Sequence, residues 1–164
     1  MSSLPVVAEV NSKLHADIAL IRLLRAGIRA EHLSAVFPRG HAPNTVCCWL
    51  NGFHGVPLTT AVPMAAAGVL GQLFRTVSTT EGFEAELDDL GLTPEMISRL
   101  TERIEDGRTL LCVHAHNDAE AAVAWHIFQH IAAEHIDSRA DLAEREHQPR
   151  EVAAHAGHLS EIAA

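Results

Sequence analysis

Residues 108–115 read Arg-Thr-Leu-Leu-Cys-Val-His-Ala, the strongest strand signal in the chain. Asp106-Gly107 closes the preceding element, and Asn117-Asp118 offers a cap for a helix that follows. Val123, Ile127 and Ile131 then recur at helical spacing, joined by Ala124 and Phe128, which predicts one buried helix face. His135 to Ala140 completes the unit as a last strand. This is β-α-β.

The N-terminal end repeats that order. Pro5 to Val10 predicts a strand, with Val6, Val7 and Val10 supplying β-branched bulk. Asn11 or Ser12 caps a helix whose apolar positions are Ile18, Leu20, Ile21, Leu24 and Ile28, and Gly27 falls where it should stop. Leu33 to Phe37 is the second strand, closed by Pro38-Arg39-Gly40. At an offset of 103 residues, Val7–Ser34 lies over Leu110–Asp137 without a gap. The expected fold is therefore α+β: a ferredoxin-like βαβ-βαβ pseudo-repeat over residues 1–140, both helices on one face of an antiparallel sheet, with right-handed crossovers. Residues 141–164 predict a polar C-terminal helix or extended tail.

Residues 38–107 are an apolar and helical insertion between the halves. From Gly40 to Phe74 there is no Asp, Glu, Lys or Arg in 35 residues. Thr45–Leu50 reads as an extra strand followed by an Asn51-Gly52 turn, and Met64–Phe74 as a helix. Glu81–Asp89 reads as a solvated short helix or loop. Thr93-Pro94-Glu95 starts a helix with Ile97, Leu100 and Ile104 on its inner face. Charge-free surface of this size seeks cover, so the insertion predicts self-association or docking on a larger protein through Val46, Trp49, Leu50, Phe53, Val69, Leu70, Leu73 and Phe74. Membrane attachment through residues 40–74 is a lesser alternative, because Pro57, Pro63, His54 and Gln72 interrupt the run.

The net charge of −9, with Lys13 the single lysine, argues against sequence-independent nucleic-acid binding. No secretory signal opens the chain, and Cys47, Cys48 and Cys112 make no disulfide framework. A cytoplasmic protein with buried, reduced thiols is expected.

The pieces Val6–Phe37, Val56–Phe74, Leu90-Gly91-Leu92-Thr93-Pro94-Glu95 and Glu105–Val113 resemble, in that order, the small bacterial general stress protein 17M-like (heat-induced stress protein-like) family. The likeness covers most of residues 5–137. It departs in the short, glycine-poor insert and in the histidines of the second helix. The resemblance implies a stress-related accessory protein and carries over no catalytic residue.

Histidine is the compositional outlier, with 12 in the chain. His126 and His130 stand four apart on one helix, within reach of a single metal ion, and His114 and His116, or Glu134 and His135, are candidates to complete a site. The alternative function is thus a histidine-based module for a transition metal (zinc, copper or nickel) or haem. Histidines bordering a subunit contact would also make assembly sensitive to pH. No Gly-x-Gly-x-x-Gly, Walker or Gly-x-Ser-x-Gly pattern is present, and Cys112 beside His114 sits in an apolar strand where a thiol is inert. A non-enzymatic role is favoured.

Overall fold

The computed structural model describes residues 4–43, 53–56, 58, 60–77, 79–131 and 134–138. In chain order the elements are β1 (Leu4–Val10), α1 (Lys13–Arg25), β2 (Leu33–Pro38), β3 (Phe53–Gly55), β4 (Met64–Gly68), α2 (Val69–Thr76), α3 (Thr80–Asp89), α4 (Pro94–Glu105), β5 (Thr109–Ala115), α5 (Asp118–His130) and β6 (Glu134–Ser138). One six-stranded sheet in the order β3-β4-β2-β5-β1-β6 makes the chain α+β, and every neighbouring pair runs antiparallel.

Alternation along the strands divides the core in two. Val6, Ala8, Val10, Leu33, Ala35, Leu111 and Val113 point to one face and pack under α1 and α5. Val7, Val36, Met64, Ala66, Leu110 and Cys112 point to the other, under α2, α3 and α4. The insertion is what covers the second sheet face. Side-chain oxygens cap four helices: Ser12 accepts from His15, Thr79 from Gly82, Thr93 from Met96 and Asn117 from Glu120. Each such cap contributes about 1 kcal/mol.

Several expectations need correction. The sheet-facing stripe of α1 is Ala16, Ala19, Leu20 and Leu23, while Ile21 is exposed and Ile18 and Leu24 are half-buried. In α5 the stripe is Ala121, Ala124 and Phe128, and Val123 is exposed. Both helices are apolar on two adjacent stripes, and alanine wins the inner one because it lets a helix lie close to the sheet. β1 and β5 begin at Leu4 and Thr109, and the helices that follow them at Lys13 and Asp118, so both intervals are 105 residues, where the gap-free sequence match had 103. The connection after α5 is shorter than the one after α1, and β6 ends at Ser138, short of Ala140.

Met64–Phe74 is a strand followed by a helix. Three consecutive alanines hide the two-residue alternation, and Gly68, at φ +78°, makes the break. A Cβ at Gly68 would run into the Leu33 carbonyl oxygen, so only glycine lets this turn close on β2. Glu81–Asp89 lies in a full helix whose Phe83 and Leu87 are wholly buried, each worth roughly 2 kcal/mol. The strand expected at Thr45–Leu50, its Asn51-Gly52 turn and the tail 141–164 lie outside the described residues.

Candidate functional site

Buried polar groups concentrate at two places, both on the sheet face covered by the insertion. Among the described residues the buried polar and charged side chains are Glu9, Ser34, His114 and Asp137. Every buried side-chain nitrogen or oxygen among the described residues has a hydrogen-bond partner.

The first place is the end of the sheet where β5 finishes and β2 begins. Leu33 pairs with Val113 and Ser34 with Cys112, so His32 and His114 approach each other just beyond that register. Ser34 Oγ lies 2.8 Å from His114 Nε2 and accepts from the Leu70 backbone N–H at 3.0 Å. The closed turn at Gly68 delivers that N–H, from the first turn of α2. The other ring nitrogen of His114 faces Cys112 Sγ at 4.0 Å.

A second shell of imidazoles stands outside His114. The ring centres of His32 and His116 are 3.9 Å apart, and His32 Nδ1 is 3.1 Å from Glu120 Oε1. Glu120 Oε2 accepts from the His116 backbone N–H at 2.7 Å, while its own N–H donates to Asn117. The first turn of α5 therefore holds the carboxylate in place through a reciprocal cap.

Burial, reinforced by the neighbouring His32 and His116, pushes the His114 pKa down to about 4. The partial positive charge at the start of α2 acts in the same sense. Burial alone pushes the Cys112 thiol up to about 12. For Glu120, burial works upward, but the hydrogen bonds from His116 N–H and His32 and the charge of the two imidazoles outweigh it. Its carboxyl sits below the usual range.

The second place lies across the same face, from Glu9 at the far end of β1 to Asp137 on β6. Arg103 of α4 reaches Glu9 at 3.6 Å and Asp137 at 3.2 Å. Arg99 adds 2.7 Å to Asp137, and Arg108 adds 3.4 Å to Glu9. Two carboxylates buried in β1 and β6 are thereby clamped to α4.

The four histidines read as metal ligands do not converge. His126 and His130 are exposed on α5, with ring centres 4.2 Å apart, and the His130 Nδ1–H donates to the His126 carbonyl. His114 lies on the far side of the sheet from α5, because its strand neighbours Val113 and Ala115 are the ones that face that helix. His116 lies past the end of β5, against His32. Among the described residues no group of three or more His, Cys, Asp or Glu side chains is placed to hold a metal ion. His114 is a buried structural ring with both nitrogens engaged. The side chains of Glu134 and His135 lie outside the described residues.

The predicted contact residues divide as well. Leu70 and Phe74 belong to the chain's own second core, and Val69 and Leu73 are half-buried. Val46, Trp49, Leu50 and the Phe53 side chain lie outside the described residues. No described helix is long and apolar enough to cross a membrane. Sequence reading missed His32, Ser34 and Glu120, and also the α4 arginines. The available signals were charged residues inside strands, at Glu9 and Asp137, and two arginines four apart on α4.

No family model matches the chain, and no curated protein or solved structure matches it either.

Proposed function

We propose that this chain is a non-enzymatic accessory module that self-associates through the outer surface of its α1/α5 layer. In plan it is a ferredoxin-like βαβ-βαβ pseudo-repeat; the β2-β5-β1-β6 strand order and the 105-residue spacing support that reading. One observation carries the function. The exposed large hydrophobics among the described residues are Leu14, Ile21, Val62 and Val123, and three of them lie on these two adjacent helices. Leu14 is 66% exposed, more than any of the others.

The partner that fits is a second copy. The last turn of α1 carries Arg22 and Arg25, whereas the first turn of α5 carries Asp118 and Glu120. A twofold axis along the helices sets the basic end of α1 in one copy opposite the acidic start of α5 in the other, and buries the apolar stripe between them. The groups that would serve catalysis are withdrawn. Ser34 and His114 are buried and bonded to each other, and the raised pKa of Cys112 keeps its thiol protonated. The family resemblance adds a stress-related role.

Sedimentation at micromolar concentration tests the reading. The wild type is expected as a dimer, and the triple variant Leu14→Ser, Ile21→Ser, Val123→Ser as a folded monomer. A monomeric wild type overturns it.

A further inference from the structure

We propose that His32, His114, His116 and Glu120 form an acid-released latch that fastens β2 and the start of α2 to β5 and α5. The cluster joins parts far apart in sequence: His32 precedes β2, His114 lies next to last in β5 with His116 just past the strand, and Glu120 lies in the first turn of α5. It also closes over the bond from Leu70 N–H to Ser34, which ties the insertion to the sheet.

Charge balance makes the latch sensitive to acid. Three imidazoles share this space with one carboxylate. A proton on His32 faces Glu120 at 3.1 Å and is compensated. A further proton on His116 meets the His32 ring, whose centre is 3.9 Å away, without a carboxylate of its own. A proton on His114 fares worse: the ring is buried, its remaining acceptor is the weak sulfur of Cys112, and the positive end of α2 is adjacent.

Other elements supply no described counter-charge. β1 faces His114 with Pro5, and β4 ends beside Ser34 in Gly68. The first charge along α2 is Arg75, in its last turn. Beside His32, Glu31 is engaged with Arg29 at 3.1 Å in an exposed pair. Asp118 is exposed in the first turn of α5. Across the face, Glu9 lies at the other end and Asp137 two strands away on β6, and both carboxylates are taken by the arginine clamp. Acid therefore loosens one end of the molecule before the other.

Hydrogen exchange at pH 7.5 and pH 5, corrected for intrinsic rates, tests the latch in the full chain. Amides of residues 33–36, 70 and 112–116 are expected to lose protection roughly tenfold more than those of α4. Glu120→Gln should move this opening to higher pH. The double variant His32→Gln, His116→Gln, at positions outside the packed core, should move it to lower pH. Equal loss at both ends, no loss, or an opening whose pH none of the variants shifts would overturn the proposal.

Discussion

Glu9 in β1 and His114 in β5 are both buried and both point to the sheet face that the insertion covers. Because the strands are antiparallel, they lie at opposite ends of that face. Glu9 meets two guanidinium groups and is part of a charged clamp, whereas His114 meets a hydroxyl, a thiol and a helix N-terminus and stays neutral. Two sites on one sheet face thus carry opposite solutions to burying a titratable group. One end neutralises charge with charge; the other excludes it.

The largest test of that contrast is at the charged end. Arg103→Met removes the one guanidinium that reaches both carboxylates, and a loss of about 3 kcal/mol in urea unfolding is expected. A loss near zero would mean that Arg99 and Arg108 suffice and that the clamp is not centred on Arg103.

The neutral end makes its prediction through pH. The pKa of His114 is about 4 in the folded protein against 6.5 ordinarily, so the unfolded chain takes the proton first as pH falls. Stability is complete above about 6.5 and declines between 6.5 and 4, by about 3 kcal/mol from this group. Denaturant titrations across that range should show the slope, and His114→Asn should flatten it. An identical slope in the variant would assign the acid limb elsewhere.

A smaller effect sharpens the comparison. Ser34→Ala leaves the Leu70 N–H and one His114 nitrogen buried without a partner, and about 1–2 kcal/mol should be lost at pH 7. No loss would show that water replaces the hydroxyl, and that this end is wetter than its burial indicates.

Much of the fold was legible because its signals are local. Thr93 and Asn117 sit in capping positions, Gly27 ends the first helix at φ +95°, and the apolar runs of β1, β2 and β5 are short and bounded. The candidate site was only half legible. His114 and His116 stood out, yet they do not converge with His126 and His130, which project from the other side of the sheet. His32 carries no local signal of its own; only the pairing of β2 with β5 brings it to Glu120.

Outside the insertion, the sequence by itself determined where most helices and strands begin, since caps, glycines and periodicity act over a few residues. Tertiary structure alone decided which of two apolar stripes each helix buries, that the uncharged insertion supplies a second core, and which buried group carries charge. Those outcomes depend on neighbours far away in the chain. The field at Glu9 comes from α4, and that at His114 from β2, α2 and the turn before α5.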